Sequence, residues 1–218
     1  IYGDTDNKTL TNDGALWNAA EGSHQVIGVL ASSFVWNAGK IVSEVTGGDE
    51  FSAAVGVYNI GGDLNNTGEI YGLTDNCLAA GVYGAVADTI NYGLIAARAD
   101  NGTAVGILRE DSGGVVNNAS GVILAEGMQA TGVFIGSYAH VDSKGDEDLV
   151  SPTVQNDGLI GAVSLDPDAP SIGIEAVGQE AFALNFVNSG VIIADFAIYS
   201  AVDSLTGNPY TTENVVNQ

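Results

Sequence analysis

An Asn, a Gly two residues later and an Ile or Leu two further return along the whole chain, and that constrains it to a repeat architecture. The phrase reads Asn12-Asp-Gly14-Ala-Leu16, Asn37-Ala-Gly39-Lys-Ile41, Asn66-Thr-Gly68-Glu-Ile70, Asn91-Tyr-Gly93-Leu-Ile95, Asn156-Asp-Gly158-Leu-Ile160 and Asn188-Ser-Gly190-Val-Ile192. Asn118 is read with one extra residue before Gly121-Val-Ile123, and Asn217 opens an eighth copy. The Asn-to-Asn steps are 25, 29, 25, 27, 38, 32 and 29 residues by subtraction of positions. One unit is therefore about 25 residues, with insertions.

Around each Asn the alternation is that of a strand. Apolar residues stand two before it (Leu10, Val35, Leu64, Val154, Phe186, Val215). Aliphatics stand four after it, and two beyond those the side chain is small: Asn18, Ser43, Gly72, Ala97, Ala162, Ala194. Period-two alternation places such positions on one face of a strand. A second phrase falls between successive Asn positions, as Ile27-Gly28-Val29, Val55-Gly56-Val57, Ala80-Gly81-Val82, Val105-Gly106-Ile107, Thr131-Gly132-Val133 and Ile172-Gly173-Ile174. Each unit thus supplies three short strands. Three strands per turn, stacked turn on turn, is a parallel β-helix. Helices are disfavoured by 30 Gly in 218 residues.

The expected fold is all-β, a β-solenoid of about seven coils forming a single domain over residues 1–218, about 34 Å long at roughly 4.8 Å per coil. An Asn at the same corner of each coil predicts a hydrogen-bonded ladder of Asn12, Asn37, Asn66, Asn91, Asn118, Asn156 and Asn188. The Gly two residues on is expected to supply a positive φ at the corner. Breaks in rhythm at Thr46–Phe51, Arg109–Gly114, His140–Pro152, Ser164–Pro170 and Asp203–Thr212 read as surface loops on coils, where solenoids usually carry function.

The runs Asn-Thr-Gly-Glu-Ile-Tyr-Gly at 66–72 and Asn-Ser-Gly-Val-Ile at 188–192 resemble the repeats of bacterial autotransporter passengers and related surface β-solenoids. The resemblance covers about residues 9–218. It implies a right-handed parallel β-helix and an extracellular or cell-surface location. It leaves activity open, since those families include adhesins, matrix proteins and enzymes. The catalytic motifs of their protease members and a membrane-anchoring barrel are not visible in the sequence.

Charge narrows the partners. Five Lys and Arg against 27 Asp and Glu give a formal charge of −22. Such a surface repels nucleic acid and anionic membrane and favours divalent cations. The single Cys77 excludes an internal disulfide, and its apolar surroundings predict a buried thiol. No stretch approaches the ~20 apolar residues of a membrane helix, so no membrane insertion is expected. The chain opens at Ile1, without Met or a signal peptide, and is expected to be a processed product or part of something longer.

The two ends are nearly in phase: Asn214-Val215-Val216-Asn217-Gln218 stops at the turn Asn, and Ile1-Tyr2-Gly3 echoes Ile70-Tyr71-Gly72. A heterologous contact that does not close gives a filament. Ile1, Tyr2, Gly3, Asn214, Val215, Val216, Asn217 and Gln218 are therefore the expected assembly interface, with a second copy of the chain as partner. Plain truncation of a longer β-helix is the competing explanation.

Catalysis is not expected. A glycosidase needs two carboxylates across one cleft at about 5–10 Å, and the strong bases Lys8, Lys40, Arg98, Arg109 and Lys144, with His24 and His140, do not stack against an acidic cluster. Asp146-Glu147-Asp148 is the candidate metal site, with calcium as the cofactor that flexible acidic loops suit. Asp166 and Asp168 read as solvated loop charge. Gly47-Gly48-Asp49 and Gly61-Gly62-Asp63 are fragments of a calcium-roll phrase and read as turns. Trp17 and Tyr71 share an outward position with Val42 between them, Trp36 lies on another face, and no binding strip is expected from them. The resulting expectation is a non-enzymatic extracellular structural subunit. The alternative is an adhesin or passenger fragment whose loops bind a glycan or a host surface.

Overall fold

A computed structural model describes residues 2–3, 9–22, 24–84, 87–110, 113–137, 140–141, 147–148, 152–178, 185–202 and 215–217. It is a β-solenoid of about six turns, without helix among the described residues, against the seven coils expected. Three columns of parallel strands run along it. The first stacks the strands that carry the Asn: Leu10–Asn12, Val35–Asn37, Leu64–Asn66, Thr89–Asn91, Val115–Asn117, Thr153–Asn156, Asn185–Asn188 and Val215–Asn217. The second begins after the corner, as in Lys40–Thr46 on Glu69–Thr74. The third holds the Gly-Val phrase, as in Ala53–Asn59 on Leu78–Gly84. In two coils the second and third strands run together, as Leu94–Arg109 and Val122–Ser137, with a register irregularity between Ala99 and Thr103.

Stacking like on like fills the interior. Ile41, Ile70, Ile95, Ile123 and Ile160 form one aliphatic file, Val29, Val57, Val82, Ile107 and Val133 another, and Val35, Leu64, Val115, Val154 and Phe186 a third. Each such side chain removed from water contributes about 1.5–3 kcal/mol, and no coil can bury its file without a neighbour. The small positions Ser43, Gly72, Ala97, Ala125 and Ala162 stack as expected. Cys77 is buried, its sulfur 2.6 Å from Thr74 Oγ1.

Corner glycines serve a different purpose from the one expected. Among the described residues positive φ occurs only at Gly22 and Gly47, neither of them in the phrase. The corner Gly is instead required by close approach: a Cβ on Gly68 would lie 2.0 Å from the Gly39 carbonyl oxygen, and one on Gly93 2.1 Å from that of Gly68. The glycines of the Gly-Val phrase are needed for the core. A Cβ on Gly56 would meet Ile70 Cγ2 at 2.5 Å, and one on Gly81 would meet Ile95 Cγ2 at 2.6 Å. The Ile of the first phrase and the Gly of the second are thus one packing unit.

Candidate functional site

The ladder exists and is directional. Each Asn Nδ2 donates to the next Asn Oδ1: Asn12 to Asn37 at 2.7 Å, Asn37 to Asn66 and Asn66 to Asn91 at 2.8 Å, Asn91 to Asn117 at 2.9 Å. Asn117 to Asn156 and Asn156 to Asn188 follow at 2.8 Å. The fifth member is therefore Asn117, not Asn118. Asn117 pairs with Asn91 in register, and the extra residues lie in the corner, where the Gly121 amide donates to the Asn118 carbonyl at 2.7 Å. Spacing alone favours Asn118 because it minimises the insertion, whereas strand register with Asn91 turns Asn117 inward. The Asn118 Nδ2 is buried with no hydrogen-bond partner.

Of the expected end-to-end interface, Ile1, Asn214 and Gln218 lie outside the described residues. Val215, Val216 and Asn217 form a first-column strand on Phe186, Val187 and Asn188. Tyr2 and Gly3 pair with Leu30 and Ala31, in the third column. Their register is that of Tyr83-Gly84, not of Tyr71-Gly72, so the two ends are one second-column strand out of phase. In the candidate metal loop, Asp146 lies outside the described residues. Glu147 and Asp148 are described only as strand backbone, paired with Val141 and His140. Among the described residues no group of three or more His, Cys, Asp or Glu is arranged to hold a metal ion.

Arg109 does not sit in a loop. It ends a strand, is 1 % exposed, and its Nη1 reaches Thr89 Oγ1 at 3.5 Å. Thr89 occupies the first-column file where its neighbours are Leu64 and Val115. Sequence reading passed over this Thr, and the break in that aliphatic file was its only signal.

The outer faces of the two longer columns differ sharply. The second carries charge: Lys40 Nζ lies 3.1 Å from Glu69 Oε2 and 4.6 Å above the Tyr71 ring, and Arg98 Nε lies 2.8 Å from Asp100 Oδ1. The Lys40 ammonium holds the Glu69 carboxyl below its ordinary range, and the Glu69 contact raises Lys40. Trp17, Val42 and Tyr71 do share one outward row here, and Trp17 is 69 % exposed.

The third column presents an apolar outer face. Its floor row is Ile27, Val55, Ala80, Val105, Thr131 and Ile172, one residue per turn; Val55, Ala80, Val105 and Thr131 are buried beneath the side chains that flank them. Beside it runs Leu30, Tyr58, Tyr83, Leu108, Phe134 and Glu175. Tyr58 and Tyr83 meet edge to face, with ring centroids 4.6 Å apart. Two shallow grooves, about 260 and 390 Å³, lie along this face and share Leu78. Gln25, Thr103 and Gln129 supply polar groups, and Ala169 and Pro170 of the expected 164–170 loop close one end. The row after each Gly-Val pair is legible in the sequence as a recurring large side chain.

Glu175 is the charged side chain lining these grooves, accepting a hydrogen bond from Thr131 Oγ1 at 3.1 Å. Burial pushes its carboxyl up, against the lowering effect of Thr131. A carboxyl raised in the folded state destabilises the fold as pH climbs through that raised value, and not below the unfolded one. Glu175→Gln is thus expected to match the parent near pH 4 and to exceed it by a few tenths of a kcal/mol near pH 7, a gain discounted for solvent screening. Urea melts at the two pH values measure this, and a variant weaker at neutral pH contradicts it.

No family model matches the chain, and no curated protein or solved structure does.

Proposed function

We propose that the chain is a non-catalytic structural protein of the cell surface or extracellular space, a subunit assembling head to tail into a filament or surface layer. The directional Asn ladder carries this reading. At the first turn Asn12 Oδ1 faces away from Asn37 and accepts only the long 3.3 Å bond from its own Gly14 amide among the described contacts. At the last turn Asn188 Oδ1 accepts from Asn156, and the backbone of Val215–Asn217 pairs in register on Phe186–Asn188. A parallel stack of copies places the Leu10–Asn12 strand of one on the Val215–Asn217 strand of the next, in the register that aligns their Asn positions.

Apolar coil edges support the same contact. Val191 and Ile193 are 54 % and 58 % exposed, against 38 % for Leu124 in the same outward row as Ile193. Among the described residues, Val191–Ile193 pairs only with Leu159–Gly161, and Ala15–Glu21 only with Lys40–Thr46. Such edges template further strand pairing. The stack also brings Tyr2 over Tyr199 and leaves one second-column place open. The autotransporter-like resemblance belongs to this proposal, with the repeats as its support, and so does the extracellular location. Calcium would act by relieving repulsion between subunits of charge −22.

Electron microscopy of the purified chain across dilution, with and without calcium, tests the assembly. Unbranched fibres one solenoid wide are expected, with an axial repeat near one subunit length. Monomers at high concentration in both conditions would sink the proposal.

A further inference from the structure

The outer face of the third column is a groove along the solenoid axis with an aliphatic floor, an aromatic wall and spaced polar groups. From Ile27 to Ile172 it crosses five inter-coil steps, about 24 Å at roughly 4.8 Å each. Its walls are set by the strand stack, so the groove is built before any ligand arrives. A second copy of the chain does not suit it. Its strands are 7 residues long, about 23 Å at roughly 3.3 Å per residue, so the face offers roughly 550 Å² per copy, below the ~800 Å² per partner in a stable interface.

An extended polypeptide fits poorly for another reason. The strands here are paired above and below, so their backbone groups are already engaged. A peptide backbone laid on Val55, Ala80 and Val105 would lose water from N–H and C=O groups with few side-chain partners in return. A sugar chain avoids this cost. Its C–H faces lie on aliphatic and aromatic side chains, and its polar groups stand at its margin, where Gln25, Thr103 and Gln129 wait.

Charge selects within that class. The groove carries Glu175 at one end, on a chain with five basic and 27 acidic residues. We propose that this groove binds a linear polysaccharide bearing free amines, a glucosamine-type polymer. Its pyranose faces pack on the half-buried Leu78 and Leu108 and on the Tyr58–Tyr83 wall, and one ammonium donates to the Glu175 carboxylate. The groove lies on the wall and not at the coil edges, so this binding stands apart from head-to-tail assembly.

Calorimetry at physiological ionic strength tests it with a water-soluble glucosamine oligomer, its N-acetylated counterpart, and a Lys/Leu peptide of equal charge. The amine oligomer is expected to bind, and Glu175→Gln to weaken it about tenfold, the scale of one charge-assisted hydrogen bond. Asp13→Asn changes net charge equally on an exposed corner and is expected to leave affinity within about twofold. Leu78→Lys, placing a cation where the two grooves meet, is expected to abolish binding. Gln129→Lys does the same from an exposed position and serves if Leu78→Lys fails to fold. Equal losses for Glu175→Gln and Asp13→Asn would reduce the effect to general attraction between polycation and acid, and overturn the site. So would an N-acetylated oligomer that binds as well, or a peptide that binds more tightly, the latter giving the groove to a polypeptide.

Discussion

Asn117→Ala is expected to lower stability by about 3 kcal/mol, and Asn118→Ala by well under 1, although the two are neighbours and both are asparagines. The Asn117 side chain is fully buried. Its Nδ2 donates to Asn156 Oδ1 at 2.8 Å and to the Leu159 carbonyl at 3.1 Å, and its Oδ1 accepts from Asn91 at 2.9 Å. Truncation strands buried polar atoms on two other coils, each costing about 1–3 kcal/mol. At about 2–4 °C per kcal/mol for a chain of this size, Tm should fall by roughly 6–12 °C. Asn118 Nδ2 satisfies nothing, so its removal strands nothing. Thermal melts of the two variants decide the frame of the fifth coil. A larger loss for Asn118→Ala would restore the spacing-based reading.

The second large effect separates two explanations of the corner glycine. Gly93→Ala is expected to cost about 3 kcal/mol or more, because its Cβ would sit 2.1 Å from the Gly68 oxygen and force two coils apart. Gly14 holds the same place in the phrase, yet no atom lies within 4 Å of where its Cβ would be. Gly14→Ala should therefore be neutral, or stabilising by about 0.4–1 kcal/mol through a less free unfolded chain. Were the phrase a positive-φ device, both substitutions would cost alike. Denaturant melts of the pair are sufficient, and a comparable loss at both positions would refute close approach as the cause.

Both predictions mark where information in the chain stops. The sequence by itself determined the β-solenoid, its three strands per turn, the Ile files and most of the Asn ladder. These are properties of a unit that repeats: an alternation of period two selects the inward face, and a unit unable to bury that face alone must stack on its copies. No contact between coils has to be known for that.

What only the tertiary structure decided lies between coils. Whether Asn117 or Asn118 enters the ladder depends on where an insertion is absorbed, and pairing with Asn91 and Asn156 settles it across 26 and 39 residues of chain. The corner glycines are set by a carbonyl one turn away, and Arg109 points inward because the file it meets carries Thr89. The groove of the third column is of the same kind. Leu78, Leu108, Phe134 and Ile172 are scattered along the chain, and each is a half-buried residue within its own strand. Stacking at a fixed register brings them onto one face, because each coil adds one residue per row at about the inter-strand distance.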